Sequence, residues 1–565
     1  MNTPTAQAQR HIAASLLAAA WRENLANIRN RAQHHAATLT IALPHATLTT
    51  TATARDFDQI TIDGDIHINN TTITDPASLL HHLHPHPPPH AISEINDAVT
   101  GLSTALNNDH HATHITQIAQ LHRATTTTAL AAKLRHQPDF LPCRFYEPLV
   151  TRGHHLHPMA RTRLGWSTTD KNQYDLETRQ PTRLRVIAID KELVDATPDP
   201  HGQHLDTLLA RDAPAVTEAL SSGDHHLVPV HPWQHQHVLR HRHAEAFNTG
   251  RMFDTGVTIA AFPTSSVRTL VTLSGNYLKC SLDIQITSTR RGISPATVHN
   301  GPLLSPIISD IIANDPVLDD RVAILPEHAG ISLHSTHPHS RDASCILRGK
   351  LTDTLQPHEQ AVPATALAAT SPLTQEPILL EILREYAAHI GTTARAAAPR
   401  FLRLYADRLV PAAIVLASRY GIGIEGHLQN CIPTFTAGEP CRILLRDLGG
   451  ARLFLPALHN SGHHPELHPD SVITAPDLDV MRNKVIYTVF QNHLAELVHV
   501  LDAQAVLSRR DGWDIITEVL TGTDAPSEFL AAFRAPTVPH KALLTMRLTN
   551  GNDRYVPVAN PMYRT

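Results

Sequence analysis

Between Leu278 and Thr287 apolar and polar residues alternate without a break. Leu278, Cys280, Leu282, Ile284 and Ile286 face one way, and Lys279, Ser281, Asp283, Gln285 and Thr287 the other. A period of two predicts a half-buried strand with one polar, partly cationic face. A second candidate strand, Ser266 to Leu273, precedes it, and the intervening Ser274-Gly275-Asn276-Tyr277 has turn chemistry, so the two predict a hairpin. Short strands are also predicted in TLTIALPHATLTTTATA and QITIDGDIHI, with Asp63-Gly64 as a turn. Ile12, Leu16, Leu17, Leu25 and Ile28 recur at helical spacing and carry on past Arg22 and Glu23, which predicts an amphipathic surface helix rather than a signal core. Ala91 to Lys133 reads as helical, and PILLEILREYAAHIG and FLRLYADRLVPAAIVLASRYG predict two long helices, the second ended by Gly421.

Composition narrows the classes. A chain of 565 residues is long enough for two or three domains. A formal charge of -5, with no basic run interleaved with aromatics, argues against a general nucleic-acid binder. No apolar run approaches the ~20 residues a membrane span needs. The five cysteines are odd in number and widely spaced, so neither a zinc ribbon nor a disulfide framework is indicated, and a reduced, cytoplasmic setting is expected. Histidine, at 42 residues, reads mainly as compositional bias. In HHLHPHPPPH, residues 81–90, the prolines predict an exposed irregular connector whose histidines would hold a metal only adventitiously.

Candidate chemistry sits in three places. In the hairpin, Arg268 and Lys279 could share a face with Thr287, Ser288 and Arg291 at its far end, a set suited to a polyanion such as a nucleotide triphosphate. A solvated sheet face explains that segment equally well. Glu425, Asn430 and Asp447 supply oxygens that suit Mg²⁺, whereas His427 is a poor ligand for that hard ion and suits phosphate or substrate instead; taken alone the two carboxylates fit ordinary surface ion pairs better. In GHHLHPMARTRLGW, Gly153 to Trp166, the residues His154, His157, Arg161 and Arg163 could line a polar pocket for a carboxylic acid, or simply form a loop of satisfied side chains. His231, before Pro232, reads as structural or functional with equal ease, and His235 and His237 read as surface.

Four segments in order carry a family likeness: GHHLHPMARTRLGW, VPVHPWQ, the hairpin from SSVRT to TSTRRG, and GIGIEGHLQN joined to LLRDLGG. The chain resembles the IucA/IucC-type siderophore synthetases, ligases that build siderophores without a nonribosomal peptide synthetase. It departs from their first motif at His155, where the family has Pro, and at Arg161, where it usually has Lys. The resemblance implies an α+β, multidomain cupped hand: a thumb over residues 1–140, fingers over 141–390 and a palm over 391–565. It implies ATP held by Ser265, Ser266, Arg268, Thr269, Lys279, Thr287, Ser288, Arg291 and His427, with Arg268, Lys279, Arg291 and His427 acting in catalysis. Glu425, Asn430 and Asp447 would take Mg²⁺, and Glu147 would orient a cation of the first motif.

The implied reaction is adenylation of a polycarboxylic acid, citrate favoured, followed by condensation with an amine or alcohol. His427 or His157 is the candidate acceptor for the amine's proton. No nucleic-acid or membrane partner is expected, and a homodimer is allowed. The competing readings are a kinase-like phosphotransferase releasing ADP, suggested by RDLGG and a strand lysine, and a His-rich metal-binding protein.

Overall fold

The computed structural model describes residues 3–564 apart from 109, 213–214, 217–222, 288, 550 and 552. It opens with helix α1 (Pro4–Arg22), capped by Thr3 and started on Pro4, where no amide hydrogen is needed. Ile12, Leu16 and Leu17 form the buried stripe. The helix stops at Arg22 because Asn24 turns the backbone left-handed (φ 49°), yet Leu25 and Ile28 still reach the same core from a tight 3₁₀ turn. That core also holds strands β1 (Thr38–Leu43) and β2 (Ala46–Ala54) and helices α2 (Pro76–Leu83) and α3 (Pro89–Asn107). The His- and Pro-rich segment is therefore more regular than expected. His81 and His82 end α2, and Pro89 starts α3 at the one position where proline favours a helix.

The middle of the chain builds one antiparallel sheet of eight strands. In chain order these are β3 (Thr182–Asp190), β4 (Val194–Thr197), β5 (His225–Val230), β6 (Met252–Pro263), β7 (Thr269–Thr272), β8 (Tyr277–Cys280), β11 (Glu327–Leu333) and β12 (Cys345–Arg348). Between β8 and β11 lie the short strands β9 (Leu282–Ile286) and β10 (Thr289–Arg291) and helix α4 (Pro295–Asn314). The spatial order is β5-β3-β6-β7-β8-β12-β11-β4, which places β8 inside the sheet.

The expected hairpin is present: β7 and β8 pair with Thr269 opposite Lys279, and Gly275 makes the turn at φ 95°. The expected single strand from Leu278 to Thr287 is not. Ser281 ends β8 by donating its N–H to Ser344 O (2.9 Å) while its Oγ accepts from Ile293 N–H (2.9 Å), and β9 then joins a separate small sheet with β10 and Arg163–Leu164. Nor is the polar face solvated, since Lys279 is only 2% exposed.

What covers that face is the C-terminal unit. Its strands β13 (Cys431–Thr436) and β14 (Glu439–Leu445) pack Ile432 and Leu444 against Val271 and Tyr277 of the large sheet. Behind them run α5 (Ile378–His389) and the long, buried α6 (Ala394–Ser418), the two helices predicted there, then α7 (Leu478–Val485), a π-helical stretch Ile486–Leu494 and α8 (Ala495–Ala503). A final hairpin, β15 (Thr537–Lys541) with β16 (Tyr555–Ala559), encloses α9 (Leu543–Thr549). Leu544 and Leu548 of α9 return to the N-terminal core, so the last helix closes the fold onto the first. The mixture of helices and strands is the expected α+β class.

Candidate active site

Four cations converge where the large sheet meets the C-terminal unit. Lys279 Nζ lies 2.6 Å from Asp447 Oδ1, and Arg348 NH2 lies 3.9 Å from the same oxygen and 2.9 Å from Glu327 Oε1. Arg268, just before β7, donates to Arg291 O (2.8 Å), and Arg291 donates to Thr287 Oγ1 (2.9 Å). Burial pulls the Asp447 carboxyl up, but Lys279, Arg348 and Arg268 outweigh it and hold the group far below the usual carboxylate range. Burial, then Arg268 and Arg163, lower Arg291 to about 10. Among the described residues its Nε is buried with no hydrogen-bond partner, as is Glu327 Oε2.

Two loops bring carboxylates to this cluster. Asp447 follows β14 in left-handed backbone (φ 70°), a conformation costly for a residue with a side chain and typical of functional sites. Glu425 approaches through the Gly449-Gly450 turn: a Cβ on Gly450 would collide with its carboxylate, and one on Gly449 would stand 3.5 Å from Lys279 Nζ. Glu425 is ion-paired to Lys484 at the end of α7, and His427 Nε2 lies 3.8 Å from its Oε2. Burial first, and Lys484 next, keep His427 below its ordinary pKa despite Glu425. Asn430 shares the turn, but among the described residues its side chain bonds to neither carboxylate; its backbone accepts from Arg446 N–H (3.0 Å). No three His, Cys, Asp or Glu side chains form a metal cage among the described residues. Glu425 and Asp447 alone offer the few carboxylate oxygens that suit Mg²⁺, an ion that completes its shell with water and phosphate.

The Ser265–Thr269 turn is braced from below. Glu147, fully buried, accepts from Ser265 N–H and pairs with Arg446 (2.8 Å), so it orients the fourth motif rather than a cation of the first. Gln429 donates to Ser265 Oγ (3.3 Å), and Thr269 to Ser266 Oγ (3.4 Å). Ser288 lies outside the described residues.

The first motif differs from the expectation of four pocket-lining side chains. Arg161 is held by Asp175 (3.1 Å) and Glu177 (2.9 Å), and Arg163 shares Asp175 (3.4 Å) while donating to Thr162 O (3.0 Å). Each NH2 is thus committed to carboxylates nearby, although among the described residues each Nε is buried without a partner, and this differs from the reading of both as open acid ligands. His154 remains beside His427 and Asn492, and His157 beside Arg291. His157 Nδ1 accepts from Met159 N–H (3.0 Å), so the proton of the neutral ring sits on Nε2, which is buried without a partner among the described residues. Burial, then Arg291, push this imidazole down to about 3. His157 is thus a fixed neutral donor and not the proton acceptor it was expected to be. His155 stacks on His154 and rests 3.9 Å from Glu496. His231 packs in an aromatic nest with Trp166 and Tyr174 and accepts from Trp233 N–H (3.2 Å).

Arg348, Glu327 and Lys484 escape sequence reasoning. Arg348 ends the apolar run CIL on β12, and a charge at the end of a buried strand is the one local signal that could have marked it. Lys484 sits on a helix outside any motif.

Comparison with known proteins bears on the whole chain. Residues 142–369 match the model of the IucA / IucC family, and residues 399–556 match one described as ferric iron reductase FhuF-like transporter. No helix among the described residues is long and apolar enough to cross a membrane. The chain is 27% identical to the D-ornithine--citrate ligase of Staphylococcus aureus, over 74% of this chain and 70% of that protein. It is also 27% identical to the staphyloferrin A synthase of that species, over 73% and 71%. Among solved structures, the petrobactin biosynthesis protein AsbB of Bacillus anthracis superposes with a TM-score of 0.81 at 20% identity, covering 99% of this chain and 96% of that one. The ATP-bound aerobactin synthetase IucA of Klebsiella pneumoniae superposes at 0.78 with 19% identity and full coverage of both chains.

Proposed function

Since the chain belongs to the IucA/IucC-type siderophore synthetases, we propose that it is an ATP-dependent ligase that adenylates a polycarboxylic acid, citrate favoured, and joins it to an amine or alcohol. The observation that carries this reading is a surplus of positive charge, buried at Lys279 and Arg348 and half-buried at Arg268 and Arg291. Arg268, Lys279, Arg291 and Arg348 face Asp447 and Glu327, with Glu425 acting on Arg291 but already paired to Lys484, and a polyanion would complete the set. The names of the relatives support the acid, and the ATP-bound state of the aerobactin synthetase supports the nucleotide.

In this reading a carboxylate oxygen of the acid attacks the α-phosphorus of ATP, forming the acyl-adenylate and releasing pyrophosphate. The amine or hydroxyl then attacks the activated carbonyl and AMP leaves. Bringing one anion to another is the first barrier. Arg268, Lys279 and Arg291 offset the repulsion and stabilise charge on the departing pyrophosphate. Glu425 and Asp447 would hold Mg²⁺, which when bound screens phosphate charge. His157 donates Nε2–H to the acid, and His427, neutral near pH 7, takes the proton of the incoming amine.

Product analysis across a panel of polycarboxylic acids, with hydroxylamine as the trap, tests the reading. Hydroxamate with equimolar AMP and pyrophosphate is expected. ADP as the product would instead establish the phosphotransferase, and no turnover with any acid would remove the ligase reading.

A further inference from the structure

The stretch Ile486–Leu494 winds as a π-helix, a rare form that is frequent at functional sites. Near its end stand three consecutive polar side chains, Gln491, Asn492 and His493, all buried. Such groups cost free energy in an interior unless bonded, and each has a partner beyond its own helix. Gln491 donates to Pro539 O (2.8 Å) and accepts from His540 Nδ1 (2.6 Å). Asn492 Oδ1 accepts from Leu428 N–H (3.2 Å). His493 Nδ1 lies 3.0 Å from Gly426 O, and a carbonyl can only accept, so Nδ1 carries the proton. Its Nε2 then accepts from Tyr405 OH (2.7 Å), a hydroxyl on α6.

Gly426 and Leu428 flank His427. Adjacent side chains of one helical turn therefore grip the backbone on both sides of it, one at a carbonyl and one at an amide. The π-helix also presses directly on this loop, since a Cβ on Gly426 would lie 2.8 Å from Val489 Cγ2.

We propose that Asn492 and His493 are positioning residues that hold Glu425 and His427 in one arrangement against the cation cluster, with Tyr405 setting the tautomer of His493. The proposal rests on the reading of Glu425 and His427 as nucleotide-site residues. Both act on Glu425 and His427 through the loop, and Asn492 also meets His154, its Nδ2 3.2 Å from His154 Nε2.

Hydrogen–deuterium exchange on the free protein tests this without substrate or metal. In Asn492→Leu and His493→Leu, exchange across residues 424–430 should quicken roughly ten-fold or more, while the interior strands β3 and β8 keep the parent's protection. The Mg²⁺ concentration that half-saturates pyrophosphate release should rise by about ten-fold. His493→Asn, whose amide nitrogen can replace Nδ1–H, should recover most of both. Unchanged exchange across 424–430, or equal loosening of the whole chain, would overturn the proposal. If His493→Leu fails to fold, Tyr405→Phe, which removes only the hydroxyl, carries the test by the same exchange. A parent enzyme that releases no pyrophosphate would sink the ligase reading, while the exchange result would still decide this one.

Discussion

Two buried arginine clusters stand close together in this molecule and differ in one respect. Arg161 and Arg163 meet Asp175 and Glu177, so cations and carboxylates are equal in number. Burial lowers both arginines; Asp175 and Glu177 more than restore Arg161 and raise it above its ordinary value, while Arg163 stays lowered by burial. Around Lys279, five cations (Arg268, Lys279, Arg291, Arg348 and Lys484) meet three carboxylates (Asp447, Glu327 and Glu425), and burial depresses Arg268 and Arg291 without enough negative charge to compensate. A buried arginine is thus no mark of a binding site in itself. On the proposed reading the balanced cluster is architecture and the unbalanced one receives an anion.

The largest expected effect is on catalysis at the unbalanced cluster. Lys279→Ala and Arg268→Ala should each slow pyrophosphate release by on the order of 10² or more. Lys279→Ala should cost less stability than Arg161→Ala, because the Asp447 side chain is 26% exposed and keeps Arg348 nearby at 3.9 Å. Soluble variants that release pyrophosphate at the parent's rate would erase the contrast between the clusters.

Arg161→Ala probes the other side. It strips two buried carboxylates of their main partner, and breaking such a pair costs about 3–5 kcal/mol. Denaturant titration should show that loss directly, as a lower midpoint at unchanged slope. An Arg161→Ala protein as stable as its parent would mean the balanced cluster is not structural after all.

A smaller effect is expected at the carboxylates. Asp447→Asn and Glu425→Gln keep shape and remove charge, so pyrophosphate release should fall roughly ten-fold at low Mg²⁺ and recover in part as Mg²⁺ rises. Mg²⁺ titration curves that overlay the parent's would reassign both residues to ion pairs with Lys279 and Lys484 alone.

The same contrast explains how much the sequence discloses. The hairpin is legible because alternation and the Ser-Gly-Asn turn are local signals, as are the paired helices α5 and α6. The break at Ser281 is not, because its causes, Ser344 and Ile293, lie elsewhere in the chain. Burial of the cationic face is equally hidden, since it depends on β13 and β14 closing over β7 and β8. Motif spacing brings Arg268, Lys279, Glu425 and Asp447 into view but cannot show that Arg161 finds Asp175 and Glu177 within its own loop region. Charge balance is a three-dimensional property, so the two arginine clusters look alike in one dimension.

A third pair, Arg55 with Glu496, sharpens the comparison through pH. It is balanced like the Arg161 cluster, at 2.8 Å, and ties the segment after β2 to α8. Burial works to raise the Glu496 carboxyl, but Arg55 and then His155 bring it down to about 2 from 4.5. Burial also keeps His155 neutral until about pH 4, so Arg55 carries the interaction above that. A carboxyl depressed on folding contributes stability above its unfolded value, and the contribution fades as pH falls toward the folded value. At pH 7, Glu496→Gln should therefore be less stable than the parent by on the order of 2–3 kcal/mol. That gap should shrink as pH drops from 4.5 towards 2, because the parent then loses what the variant never had. Unfolding curves for both proteins at several pH values measure it. A gap that stays constant through the acid range would assign the loss to packing rather than charge, and would separate this pair from the balanced cluster at Arg161.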